Sequence, residues 1–163
     1  LINNTTGINN NAFGSSALRS NTVGSRNSAF GHYALKDNTT NNNSAFGYKA
    51  LASNTTGNAN SAFGYLALAS NTIGKYNSAF GYNSLNLNTT NSNTAFGYNT
   101  LRANTIGSLN TAMGVQALRN NTTGNGNTAV GLQALFNNTT GSKNIAMGTN
   151  AILTNTVGNG NSA

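Results

Sequence analysis

Large apolar residues recur along this chain in pairs five positions apart, a Phe-class residue and then a Leu-class one, set among small and polar neighbours. The pairs belong to a unit that reads N-T-[TVI]-G-x-x-N-[ST]-A-F-G-x-x-A-L-x-x. Units begin at Asn4, Asn21, Asn38, Asn54, Asn71, Asn88, Asn104, Asn121, Asn138 and Asn155, spaced 17, 17, 16, 17, 17, 16, 17, 17 and 17 residues apart. A disordered tract has no reason to hold such a register, so the register predicts a fold built from stacked repeats.

Helix does not fit the unit. Glycine falls at two places in almost every repeat, β-branched residues follow each Asn-Thr, and no apolar stripe has helical spacing. Two short strands per unit are predicted instead, one around [ST]-A-F-G-x and one around A-L-x-x-N-T-[TVI], joined by Asn-rich turns. Stacked in parallel, such units make an all-β solenoid of nine to ten coils, with a rise of about 4.8 Å per coil and a length of roughly 45 Å. Residues 1–163 read as a single repeat domain. Position four is Gly in the 17-residue units and reads as a left-handed corner. The 16-residue units place Asn there and lose one residue in the same turn.

Reading down the columns predicts what lies inside. Position ten is Phe13, Phe30, Phe46, Phe63, Phe80 and Phe96, continued by Met113, Val130 and Met147. Position fifteen is Leu18, Leu35, Leu51, Leu68, Leu85 and Leu101, continued by Leu118, Leu135 and Ile152. Both are expected to be core ladders. Ala at position nine and Gly at position eleven suggest closely approaching backbone. Asn at positions one and seven predicts two stacked amide ladders running from coil to coil.

One apolar column is left over. Tyr48, Tyr65, Tyr82 and Tyr98 share position twelve and would line up along the rod, followed by Val115 and Leu132. Such a stripe can seal its own coil edge or meet another chain. With only one Phe-class and one Leu-class residue per coil, the single-chain core is small. The stripe is therefore read as a chain–chain interface.

Composition narrows the chemistry. Asp37 is the only carboxylate side chain and His32 the only imidazole, and there is no Cys. Paired-acid catalysis, a Zn site and a thiol nucleophile all lack their residues. No enzyme activity and no cofactor are expected. The net charge is +7, carried by Arg19, Arg26, Lys36, Lys49, Lys75, Arg102, Arg119 and Lys143. Of these, Arg19, Lys36, Arg102 and Arg119 share position sixteen as a broken positive stripe. Eight charges over a long rod are sparse, so solubility is the simpler account and polyanion or glycan binding the alternative. No specific nucleic-acid contact and no membrane insertion are expected.

N-glycosylation sequons begin at Asn4, Asn38, Asn54, Asn88, Asn121 and Asn138. Where Val23, Ile73, Ile106 or Val157 takes position three the sequon disappears while the unit persists, so that position selects for a β-branched residue. Position two is Thr in every unit from Thr5 to Thr156, a ladder that also raises an ice-binding alternative.

At N-[ST]-A-F-G-Y-x-A-L and N-T-T-G-x-x-N-T-A-x-G the chain resembles the head repeats of YadA-like trimeric autotransporter adhesins. It is also similar to the N-T-A-x-G-x-x-A-L repeats of phage tail fibres and bacterial surface fibres. The resemblance covers essentially the whole chain. It implies a left-handed β-roll, three identical chains side by side, and a rigid extracellular fibre or host-binding head. The chain is accordingly expected to be a segment of a longer fibre, a cell-surface appendage or virion fibre, whose partner is itself, as a homotrimer or an end-to-end filament or both. Cell-surface glycans are a candidate further partner, and the adhesion target is left open.

Overall fold

The computed structural model describes all 163 residues as an all-β parallel solenoid. Each coil contributes one three-residue strand: β1 Asn11–Phe13, β2 Ser28–Phe30, β3 Ser44–Phe46, β4 Ser61–Phe63, β5 Ser78–Phe80, β6 Thr94–Phe96, β7 Thr111–Met113, β8 Thr128–Val130 and β9 Ile145–Met147. The nine strands pair in parallel in chain order, with Ala opposite Ala throughout. The remaining residues of each coil carry the chain round to the next strand, the crossover that parallel neighbours require.

The second strand predicted around A-L-x-x-N-T-[TVI] does not form. Leu at position fifteen adopts a left-handed conformation, from Leu18 at φ 49° to Leu135 at φ 50°, and so does position thirteen. Two such residues within three positions turn the chain repeatedly and leave no extended run. The turns nonetheless carry the stacking, because only 16 of the 100 main-chain hydrogen bonds lie within strands. In the second coil, the N–H groups of Gly31 and Tyr33 donate back to Phe13 and Ser15, while Leu35 and Asp37 donate forward to Ala50 and Ala52. The left-handed residues thus redirect successive N–H groups towards alternate neighbouring coils.

The interior is narrow. Leu18, Leu35, Leu51, Leu68, Leu85, Leu101, Leu118 and Leu135 are fully buried, packed with Ala from positions nine and fourteen. The Phe column is not part of this core, and here the expectation is corrected. Phe13, Phe30 and Phe96 are 74%, 40% and 37% exposed, and Phe46, Phe63 and Phe80 are half-buried. Adjacent residues of a strand point to opposite faces. Ala29 or Ala62 therefore turns inward, and the following Phe must turn out.

Position four is also corrected. These glycines are not in left-handed backbone; they are required by crowding. A Cβ on Gly57 would overlap the carbonyl of Gly74 and the amide oxygen of Asn54. In the shortened coils it is this glycine that is missing, rather than replaced by Asn. Thr40 takes over: its carbonyl accepts from Asn38 Nδ2 at 2.9 Å and Asn27 Nδ2 at 2.6 Å. Its hydroxyl donates to the Gly57 carbonyl at 2.6 Å. Thr90 repeats the arrangement with Asn88 and Gly107.

Candidate interaction surfaces

The two Asn columns fill the rest of the interior. At position one, Asn54 Nδ2 donates to Asn38 Oδ1 at 2.7 Å and to its own coil's Gly57 carbonyl at 2.8 Å. At position seven, Asn60 donates both its main-chain N–H and its Nδ2 to Asn43 Oδ1, at 3.0 and 3.2 Å. Polar side chains are tolerated at this depth because each finds partners at fixed coil spacing. The same geometry speaks against the glycosylation sites. Asn38, Asn54, Asn88, Asn121 and Asn138 are fully buried, and each Nδ2 is committed to hydrogen bonds. A glycan there would displace the ladder. Asn4 is half-buried, with its Nδ2 on the Gly7 carbonyl.

On the outside, the Phe side chains form a face-to-face stack. From Phe30 to Phe96 the ring centroids are 4.6–4.7 Å apart and within 7° of parallel. Two residues further along each coil, Tyr48, Tyr65, Tyr82 and Tyr98 form a second stack at 5.0–5.4 Å, with His32 above it at 5.7 Å. These tyrosines are 37–48% exposed. Ring faces are consumed within each stack, so the ladders present ring edges and phenol groups to their surroundings rather than flat platforms.

The position-two Thr column is tied down from behind. The hydroxyls of Thr5, Thr39, Thr55, Thr89, Thr105, Thr122 and Thr139 each donate to the main-chain carbonyl of the Thr one coil on, at 2.9–3.2 Å. Beside it, Val23, Ile73, Ile106 and Val157 at position three are 57–63% exposed.

The titratable residues do not converge. His32 leans on Tyr33 and stacks with Tyr48, while Asp37 pairs with Lys36 at 3.2 Å. No group of three or more metal-ligating side chains forms, and no helix is long and apolar enough to cross a membrane. Of the position-sixteen cations, Lys36 has its carboxylate, whereas Arg119 lies over the Phe136 ring at 5.6 Å. Phe136 went unremarked in the sequence because it occupies a column that is otherwise Ala, Asn or basic in the preceding coils. The two surface concavities lie at the ends of the rod, one lined by Ile152, Asn155 and Thr156 among others, the opposite one by Leu1, Ile2 and Arg19.

Fold and surfaces together define a β-solenoid repeat protein. No protein-family model, curated protein or solved structure matches the chain.

Proposed function

We propose that the chain is a structural and adhesive fibre module that works without catalysis, outside the cell or on a virion. In this reading copies of the chain associate lengthwise through the Phe and Tyr ladders. Three chains side by side is the arrangement that the resemblance to adhesin heads and tail fibres suggests. The observation that carries the reading is the pair of aromatic stacks left half-exposed along one chain. Soluble monomers rarely expose contiguous apolar surface of this kind, and its usual role is contact. An interior hydrogen-bonded from coil to coil along most of its length suits a rod that bears load along its axis.

Native mass measurement and sedimentation test the proposal. Trimers or longer lengthwise assemblies are expected, with Tyr48, Tyr65 and Tyr82 protected from chemical labelling. A stable monomer with those tyrosines reactive would overturn it. Ice binding is the less favoured alternative, since the Thr hydroxyls that would order surface water are already bonded to the main chain.

A further inference from the structure

We propose that Arg102 and Arg119 form the centre of a binding site for the anionic groups, carboxylate or sulfate, of an acidic polysaccharide. The proposal extends the fibre reading by naming the class of surface ligand, and the residues concerned occupy a different column from the Tyr stripe.

Arg102 and Arg119 occupy the same column in consecutive coils, so two arginines leave the main chain one coil apart. Nothing in the chain neutralises them. The only carboxylate side chain, Asp37, is paired with Lys36, four coils away. That is roughly 19 Å along the axis, well beyond the screening length of about 8 Å at physiological salt. The Nε atoms of both arginines are buried and make no hydrogen bond. The buried Nε atoms are out of a ligand's reach, but the terminal Nη groups donate to nothing in the chain either, so two like charges from neighbouring coils keep donors for which the missing partner is an oxyanion. Guanidinium is the group best shaped to bind a planar carboxylate or a sulfate through paired N–H donors.

The surroundings favour a sugar over a nucleic acid. Phe136 and Leu153 continue the column beyond Arg119; the Arg119 guanidinium lies over the Phe136 ring, and the half-buried Leu153 beside it adds apolar surface for the C–H face of a pyranose. Amides flank it on both sides. Gln133 Nε2 donates to Gln116 Oε1 at 2.9 Å, and the main-chain N–H groups of Arg119 and Phe136 close turns onto Gln116 and Gln133. On the following position stand Asn120 and Asn137. The corresponding places in two coils of the Tyr region hold Ala52 and Ala69, so this combination belongs to one end of the rod. A duplex would need a longer run of basic residues. A single strand would need open ring faces, and the aromatic ladders have none to spare.

The experiment measures binding of the full 163-residue chain to immobilised polygalacturonate, dextran sulfate, neutral dextran and duplex DNA at low and physiological salt. Binding to one or both acidic polysaccharides and not to neutral dextran is expected; the two acidic arms distinguish carboxylate from sulfate. The double variant Arg102→Gln/Arg119→Gln is expected to weaken it at least about tenfold. Arg26→Gln/Lys143→Gln removes the same charge from exposed positions elsewhere and is expected to leave most of the binding. Arg102→Lys/Arg119→Lys keeps the charge and the packing stem, and serves if the Gln pair does not fold; it too is expected to bind more weakly. Equal losses in both Gln pairs, DNA binding as tight as polysaccharide binding, or no acidic polysaccharide bound would each overturn the proposal. Sedimentation of the same samples reports assembly separately, so lost binding with assembly intact refutes this site and not the fibre reading.

Discussion

Asn38 and Asn54 are joined through their side chains, the Nδ2 of the second donating to the Oδ1 of the first at 2.7 Å inside the solenoid. The relationship recurs and has a direction, the amide of one coil donating to the coil behind, as Asn71 does to Asn54 Oδ1 at 3.0 Å. It breaks before each shortened coil, where Asn38 and Asn88 donate to the Thr40 and Thr90 carbonyls instead and Asn21 and Asn71 Oδ1 are left without a partner. An amide has one donor end and one acceptor end, and at Asn54 both are used. No other side chain of this size carries the two at the same spacing.

Replacing Asn54 by Asp keeps the shape and removes the donor. In N54D a carboxylate oxygen would face Asn38 Oδ1 and the Gly57 carbonyl, with no cation in reach. The expected loss is about 3–5 kcal/mol at neutral pH, as for other buried charges stripped of a partner. Protonation restores an O–H donor, so the variant's folded state favours the protonated form and raises that carboxyl's pKa above its unfolded value. Stability should be highest below the unfolded value and fall as pH rises from there to the folded one. Denaturant melts across that range measure it; N125D, on the exposed corner, should show no comparable trend.

Left-handed glycine occurs at two kinds of place, one that requires it and one where Ala59 and Lys143 hold the same column at φ 55° and 59°. Gly47 has φ +134°, and a Cβ there would overlap the carbonyl of Gly64 in the next coil. Gly47→Ala should cost more than about 3 kcal/mol, since backbone strain and overlap act together. Gly126 has φ +65° and only Lys143 Cγ nearby, at 3.9 Å. Gly126→Ala should cost about 1 kcal/mol. Thermal melts of the two variants separate crowding from conformation.

The column at position fifteen is Leu in eight coils because the site is both buried and left-handed. Leu68 has φ 51° and no exposed surface. A γ-branched side chain tolerates that backbone better than a β-branched one. Leu68→Ile conserves volume yet should destabilise by about 2–3 kcal/mol, more than such a swap usually does. Ile152, the one β-branched residue of the column, lies in a half-buried outer coil. Equal melting of Leu68→Ile and the parent would refute the conformational explanation.

How much of this was legible in the sequence depends on what repeats. The coil length, the Ala and Leu columns and both amide ladders follow from identity at fixed spacing. The Phe error came from reading size without parity. Ala and Phe are neighbours in a strand and cannot both turn inward. Position nine never varies, while position ten drifts from Phe to Met and Val, and an interior crowded to one size is the place that cannot drift. The missing second strand left no such trace. Nothing in A-L-x-x announces left-handed Leu, because the conformation is imposed by stacking rather than by local preference. Phe136 was missed for the opposite reason, being a departure from its column and not part of it.

The shortened coils give a prediction about insertions. Because Thr40 stands in for the missing glycine, inserting Gly between Thr40 and Asn41 should rebuild an ordinary 17-residue coil. The Thr40 hydroxyl gives up its bond to the Gly57 carbonyl, so the change should amount to no more than about 1 kcal/mol. Deleting Ala62 from β4 instead shifts Phe63 into the inward register and should abolish cooperative melting. Two outcomes of similar size would mean that the turn and the strand are equally tolerant, contrary to the geometry.

Phe63 separates folding from assembly. Its ring stacks on Phe46 and Phe80 at 4.6 and 4.7 Å but is only half-buried, whereas Leu68 in the same coil is completely enclosed. Leu68→Ala should therefore cost about 2–5 kcal/mol. Phe63→Asp loses two stacking contacts, each worth about 0.5–1.5 kcal/mol, and places its charge at the surface, where water solvates it. The Asp variant should keep a cooperative melt. If lengthwise contact runs through the aromatic face, that same charge would be buried between chains without a partner, and association should collapse while the fold survives. Sedimentation beside circular dichroism on one preparation reads both. A Phe63→Asp chain that unfolds outright would return the Phe ladder to the core. One that assembles normally would place the contact on another face, with the exposed Val23, Ile73 and Ile106 column the next to test.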